Sequence, residues 1–154
     1  MLSDEEIREV ETELAQYPER QSACVGALKA VQRRRGWISD ETLGDVAEVL
    51  GMSSAELDSV ATFYPLLFRR RVGRHVIRVC DSVSCWILGS DGIGRALAVA
   101  IGIGPGETTA DGRFTLLPTA CLGVCERAPA LMIDDDVHTH VDAAELDQIL
   151  ARYP

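Results

Sequence analysis

Four cysteines in the second half of the chain have the residue type and spacing to bind a soft metal. Cys80 and Cys85 stand in Cys80-Asp-Ser-Val-Ser-Cys85, and Cys121 and Cys125 in Cys121-Leu-Gly-Val-Cys125. The pattern is C-x4-C, a gap of 35 residues, then C-x3-C. Each pair lies among small residues, which let backbone N–H groups approach a sulfur and leave room for a compact inorganic core. Thiolate is soft and anionic and suits both iron and zinc. In a binuclear iron–sulfur cluster each iron takes two sulfides and two protein ligands, so two pairs of thiolates complete one cluster. The spacing differs from the plant-type and bacterial ferredoxin runs. A Rieske centre would need two histidines, but His75, His138 and His140 all lie outside the pairs, which favours ligation by cysteine alone. Zinc commonly takes C-x2-C knuckles, which neither pair matches. The residues favour a [2Fe–2S] cluster, with a zinc site, disulfides and unligated thiols as the alternatives.

The rest of the composition says where such a site could work. The chain has 154 residues, enough for one domain or two small ones, and 47% are hydrophobic, as in a globular protein. Aromatics are only 5%, which argues against a base-stacking surface. A net charge of −9 disfavours binding to nucleic acid or to anionic lipid. No apolar run reaches membrane-spanning length, and the acidic start Met-Leu-Ser-Asp-Glu-Glu lacks the apolar core of a secretory signal. A cytoplasmic setting is therefore expected, where paired cysteines serve as metal ligands more often than as disulfides. Cys24, apart from the pairs on a helical pattern, reads as a small buried apolar residue.

The elements that must position the cysteines follow from periodicity. Residues 3–16 form a helix, with Ser3 and Glu6 as a capping box, Ile7, Val10 and Leu14 on one face, and Tyr17-Pro18 as its end. A second helix spans about 20–35, with Ala23, Ala27, Leu28 and Val31 inward and Gly36 as its stop. Trp37-Ile38 is an apolar plug. A third helix runs over 40–50 to Gly51, and a fourth starts at Ser53, with Glu56 in capping-box position, and closes at Pro65. Phe68 to Gly73 reads as a basic linker. The period then changes. Strands are expected at 75–79, 113–117, 130–133 and 137–141, with helices at 91–101 and 143–151. Residues 81–85 are read as a loop, Pro118 as the end of the second strand, and Asp142 as the cap of the last helix. The fold class is α+β or α/β: a four-helix N-terminal subdomain over residues 1–70, then a β-α-β-β-α layer of thioredoxin-like order over residues 74–154.

Other motifs carry less. Gly102-Ile-Gly104-Pro-Gly106 follows a helix rather than a strand and lacks G-x-G-x-x-G spacing, so it reads as a loop. Gly92-Ile-Gly94 is equally weak, and Lys29, the only lysine, belongs to no Walker motif. Arg33-Arg-Arg35 and Arg69-Arg-Arg71 read as a solvated helix end and linker, or more sharply as a docking face for an acidic partner. Asp134-Asp-Asp136 reads as a turn. His138 and His140 would share a strand face, and Asp81, next to Cys80, is a carboxylate that would disfavour the reduced form of an anionic cluster and lower its potential.

Several blocks together resemble the E-subunit family (24-kDa type) of NADH–quinone oxidoreductase, respiratory complex I. They are Arg35-Gly-Trp-Ile38, Val60-Ala-Thr-Phe-Tyr64, Val72-Gly-Arg-His75, Val79 to Cys85, Gly104 to Thr109, Asp111 to Leu116, and Cys121 to Pro129. The resemblance implies that Cys80, Cys85, Cys121 and Cys125 bind one [2Fe–2S] cluster in a thioredoxin-like ferredoxin domain, and that this chain has no catalytic residue of its own. It implies a partner subunit that binds FMN and NADH and carries a [4Fe–4S] cluster, with other peripheral-arm subunits, no nucleic acid and no direct membrane insertion. The chain would exchange an electron with the partner's FMN. Its place would be the cytoplasm or the cytoplasmic face of the inner membrane. The same module also serves as the small subunit of soluble NAD-dependent formate dehydrogenases and NAD-reducing hydrogenases, and the cysteine motif does not separate these. A zinc-stabilised interaction module is the reading from another class.

Overall fold

The computed structural model describes residues 1–154, which divide into two compact units, Met1–Arg71 and Val72–Pro154. The first unit holds α1 (Asp4–Leu14), α2 (Cys24–Arg35), α3 (Asp40–Leu50) and α4 (Ser54–Phe63), with a 3-10 turn, Arg20–Ala23, leading into α2. Three of the four starts have a side-chain cap, two of them the expected capping boxes. Ser3 and Glu6 form a reciprocal capping box, Ser53 and Glu56 form another, and the Ser39 hydroxyl accepts from the Thr42 N–H. Gly36 and Gly51 end α2 and α3 in the left-handed conformation. Helix α4 ends at Phe63, because Tyr64 precedes Pro65 and is extended. The apolar faces meet in one core of Val10, Leu28, Val31, Ile38, Val46, Leu50 and Leu57 among others.

Polar side chains tie the helices together at specific points. The Glu6 carboxylate, 4% exposed, accepts from the Ser3 N–H at 2.7 Å and from Arg35 at 2.6 and 2.7 Å through both oxygens. Arg35 also donates to Thr42 Oγ1 at 2.8 Å. One carboxylate thus caps α1 and fixes α2, and through Arg35 it fixes α3. Arg34 pairs with Glu5 and Glu9 on α1, each at 2.7 Å. Arg69 donates to Asp58, Asp40 and the Ile38 carbonyl. Within the basic triplets, Arg34, Arg35 and Arg69 are engaged in contacts inside this unit, while Arg33, Arg70 and Arg71 are exposed. The carboxylate partners lie 11 to 29 residues away, beyond what local pattern reveals.

The second unit is a mixed four-stranded sheet, ordered β2-β1-β3-β4, with β1 (His75–Cys80), β2 (Phe114–Thr119), β3 (Ala130–Ile133) and β4 (Asp136–Thr139). Strand β1 pairs parallel with β2 and antiparallel with β3, and β3 pairs antiparallel with β4. The parallel pair needs a crossover, which α5 (Val83–Ile87) and α6 (Ser90–Ile101) supply. Ile77, Leu116, Leu131 and Ile133 from the sheet form one core with Ile93 and Leu97 of α6 and with Leu146, Ile149 and Leu150 of α7 (Leu146–Leu150). Gly73 is needed where the chain enters β1, since a Cβ there would lie 3.0 Å from the Arg113 carbonyl. At the other end Arg113 donates to the carbonyls of Leu150 and Tyr153 at 2.9 and 2.7 Å. The Tyr153 hydroxyl donates to Asp136 at 2.9 Å and meets His138 Nε2 at 2.8 Å; burial and the Asp136 carboxylate push it up to about 12.

Three expectations are corrected here. Residues 83–87 are a short helix, not loop, and five residues are too few to show a period. Strand β2 runs through Pro118 to Thr119, because β2 is an edge strand and tolerates a residue without an N–H. His140 leaves the strand with φ 51, so it does not share a strand face with His138.

The Glu6–Arg35 pair generates a stability prediction. Arg35 and the Ser3 N–H hold the Glu6 carboxyl down to about 2 from 4.5. A lowered folded-state value means stability that is full above about 4.5 and lost as pH falls towards 2. Glu6→Gln should cost about 2–4 kcal/mol in urea unfolding at pH 7, since it leaves Arg35 unpaired. The wild-type advantage should shrink as unfolding is repeated between pH 4.5 and 2; a difference that stays constant with pH would refute the assignment.

Candidate metal centre

All four paired cysteines sit at one end of the sheet. Cys80 is the last residue of β1 and pairs in register with Thr119, the last residue of β2. The Asp81 N–H donates to the Thr119 carbonyl at 3.0 Å, so the two strands leave the sheet side by side. The chain after β1 turns into α5 and presents Cys85; the chain after β2 reaches Cys121 and then Cys125, which opens the 3-10 turn Cys125–Arg127. Strand β3 starts five residues later and runs back alongside β1, with Leu131 opposite Val79. The antiparallel start of β3 therefore closes the same end of the sheet.

Within this end the sulfurs form two pairs. Cys121 Sγ and Cys125 Sγ are 3.3 Å apart, far beyond the roughly 2.05 Å of a disulfide, and all five cysteines are free. Cys85 lies within hydrogen-bonding reach of Cys80, and Cys125 is close enough to feel the charge of Cys80 and to be felt by Cys85. Cys80 and Cys85 are buried with Ala128 and Ala130, against Leu122 and Val124; Cys121 and Cys125 are exposed. The site is half embedded and half open. A mostly apolar cavity of about 290 Å³, lined by Val79, Leu116 and Pro118 among others, reaches Cys80 and Asp81. The carboxylate singled out from sequence, Asp81, is exposed at this rim.

Backbone and side-chain donors aim at the sulfurs. Gly123, at φ 80, turns its N–H onto Cys121 Sγ at 3.3 Å; a side chain at that backbone angle would be strained. This N–H, more than the neighbouring Cys125 thiol, holds Cys121 below the usual thiol value. Burial, then the Cys80 contact, push Cys85 up, against an opposing bond from the Ala130 N–H. Cys121 pushes Cys125 up, while the Ser84 hydroxyl donates to it and opposes that rise. Donors directed at sulfur stabilise charge there, as an anionic cluster requires.

A single zinc takes three or four ligands around one point, whereas a binuclear iron–sulfur centre takes two at each metal. Two neighbouring pairs of thiols fit a centre with two metals, each taking one pair. The histidines serve elsewhere: His75 Nδ1 meets Asp134 Oδ2 at 2.7 Å, and His138 meets Tyr153.

The family model of the thioredoxin-like [2Fe-2S] ferredoxins matches residues 10–154. The chain belongs to this family. It is similar to the E subunit of NADH-quinone oxidoreductase from Escherichia coli (strain K12), 48% identical over 152 residues, which is 99% of this chain and 92% of that one. It is similar to the E subunit from Pseudomonas aeruginosa, 47% identical over 153 residues with the same two coverages. Among solved structures it is similar to an NAD+-reducing [NiFe]-hydrogenase in the air-oxidized state, with a TM-score of 0.69 and 28% identity. That match covers 82% of this chain but only 23% of the hydrogenase chain. The thioredoxin-like ferredoxin fold expected from the element order is thus the fold of this chain, a sheet with helices of the α+β class. Helix α5, which carries Cys85, was not legible beforehand, although Ser82 ahead of it is a residue that favours a helix start.

The half-open geometry yields a labelling prediction. In cluster-free protein, iodoacetamide should modify Cys121 and Cys125 well before Cys80 and Cys85, because only the first two are exposed. Peptide mass spectrometry over a time course reads the order. Equal rates at all four would contradict the site as described.

Proposed function

We propose that Cys80, Cys85, Cys121 and Cys125 ligate one [2Fe–2S] cluster and that the chain is an electron-transfer subunit of an NADH:quinone oxidoreductase. The observation that carries this reading is the parallel pairing of β1 with β2, which delivers both cysteine pairs to one end of the sheet. When bound, such a cluster supplies one-electron transfer. The chain's own residues do the rest. Cys80 and Cys85 would hold the cluster from the buried side, and Cys121 and Cys125 from the open side. The N–H groups of Gly123 and Ala130 and the Ser84 hydroxyl stabilise charge on sulfur. Ala128, Ala130, Leu122 and Val124 exclude water from the inner face.

The relatives are named as subunits, so partner subunits come with the family. The partner in this reading binds FMN and NADH and carries a [4Fe–4S] cluster, and other peripheral-arm subunits complete the assembly. No helix is long and apolar enough to cross a membrane; a peripheral position on the cytoplasmic face fits this reading. The helical part over residues 1–70 and the ferredoxin part over residues 74–154 would act as separate domains. A second reading, the equivalent module of a soluble NAD-reducing hydrogenase or formate dehydrogenase, draws on the hydrogenase match. The higher identity to the E subunit of the quinone enzyme, over nearly the whole of both chains, favours the first.

Cys121→Ser tests the ligand set. Purified anaerobically, the variant should lose most of its iron and acid-labile sulfide and the reduced-state EPR signal of the wild type. A full iron and sulfide complement with an unchanged signal would overturn the assignment, and stoichiometric zinc without sulfide in the wild type would establish the zinc module instead.

A further inference from the structure

We propose that the Thr119 hydroxyl donates to the sulfur of Cys80 when that sulfur is a metal-bound thiolate, and that this bond raises the reduction potential of the centre; this rests on the electron-transfer reading above. Side chains alternate along a strand, and neighbours in register share a face of the sheet. Ile77, Val79 and Leu116 face the core built with α6 and α7, so Cys80 and Thr119 face the other side. There Cys80 packs with Cys85, Ala128 and Ala130. Cys80 and Thr119 are partners in register at the ends of β1 and β2, and paired strands lie about 4.8 Å apart. The Thr119 side chain therefore stands beside that of Cys80, on the face that also holds Cys85.

Each of the two lacks what the other offers. The buried threonines are Thr42, Thr115 and Thr119. Thr42 Oγ1 accepts from Arg35 and pairs with Ser39 Oγ, each at 2.8 Å. Thr115 Oγ1 accepts from the Gly73 N–H at 2.6 Å and pairs with Thr108 Oγ1 at 2.7 Å. Thr119, 8% exposed, uses its carbonyl for the Asp81 N–H, and its hydroxyl bonds nothing else in the chain. A buried hydroxyl without a partner is costly, so folded proteins pair such groups. On the sulfur side, Cys85 receives the Ala130 N–H, Cys121 the Gly123 N–H and Cys125 the Ser84 hydroxyl. Cys80 has no donor from outside the four thiols. Ligation turns Cys80 from thiol to thiolate. An ionised acceptor makes a much stronger hydrogen bond than a neutral one, and a hydroxyl proton rotates to meet it. Donors on sulfur favour the reduced, more negative form of a cluster and so raise its potential. Thr119 is thus a positioning residue that acts on the redox centre through a ligand.

The experiment is an anaerobic redox titration of the cluster-loaded full chain, followed by EPR. The wild type is compared with Thr119→Val, which keeps the shape and loses the hydroxyl, and with Thr119→Ser, which keeps the hydroxyl. Iron and acid-labile sulfide analysis establishes equal loading. At a fixed poise Thr119→Val should shift the oxidised-to-reduced ratio about tenfold towards the oxidised form, a midpoint ~59 mV lower for one electron. Thr119→Ser should titrate within about twofold of the wild type. A loaded Thr119→Val within about twofold of the wild type would overturn the assignment and leave the electron-transfer reading standing. So would a Thr119→Ser shifted as far as Thr119→Val, because packing and not the hydroxyl would then be the cause. Where Thr119→Val takes up no cluster, Thr119→Ala against Thr119→Ser makes the same comparison with the same two outcomes. A wild-type chain with no one-electron EPR signal at any potential would overturn the electron-transfer reading, and this proposal with it.

Discussion

The parallel pairing of β1 with β2 is the constraint on which the metal centre depends. Two strands that run the same way end at the same edge, so the segments that follow them start as neighbours. Here Cys80 and Thr119 are partners in register, and the two cysteine segments begin on either side of that pair. An antiparallel pairing would send them to opposite ends of the sheet, several residues of strand apart. Parallel pairing has a topological requirement of its own, a long crossover, and α5 and α6 meet it. The crossover also carries Cys85, on its first short helix. The gap of 35 residues between the pairs is therefore the length of a crossover plus a strand, not an arbitrary insertion.

Bringing four thiols together has an electrostatic cost. Each thiolate raises the energy of the next, and burial adds to this for Cys85. Two responses are visible. The buried pair sits in an apolar wall and the other pair stays open, so only half the charge is removed from water. Each pair also receives donors, from the Ala130 N–H on the buried side and from the Gly123 N–H and Ser84 hydroxyl on the open side. Metal binding to thiols replaces their protons, so at a site of this kind affinity rises with pH and couples to the order of the loops. Glycine at position 123 is what lets the open loop point an N–H at sulfur without strain.

Where local chemistry decides structure, the sequence was readable. Ser3 and Ser53 mark helix starts and Gly36 and Gly51 mark stops, and each acts within four residues. The spacing of the cysteine pairs is a local pattern too, and the structure brings both pairs to one end of the sheet. The misreadings share the opposite property. Whether Pro118 ends a strand depends on whether β2 is an edge, which is a fact about the whole sheet. The positive φ of His140 is set where its N–H bonds the Arg127 carbonyl at 2.8 Å, thirteen residues back. The arginine triplets looked like free charge because their carboxylate partners lie on other helices. Helix α5 hid through brevity, although it contributes both a thiol and an exposed apolar face.

The use of arginine binds these points together. The chain has one lysine against fourteen arginines. A planar guanidinium offers five fixed donors and can bridge several acceptors at once, which a single ammonium on a flexible stem does poorly. Arg35 holds Glu6 through two bonds and Thr42 through a third. Arg69 joins Asp58, Asp40 and a backbone carbonyl, and Arg113 ties two carbonyls near the C-terminus. Each is a junction among segments distant in sequence, made in a chain whose excess of carboxylates supplies ready acceptors. Other arginines stay exposed, among them Arg95 and Arg127 near the cysteines, beside carboxylates such as Asp81 and Asp91. In an acidic chain, then, arginine serves as the connector of segments that local pattern leaves apart.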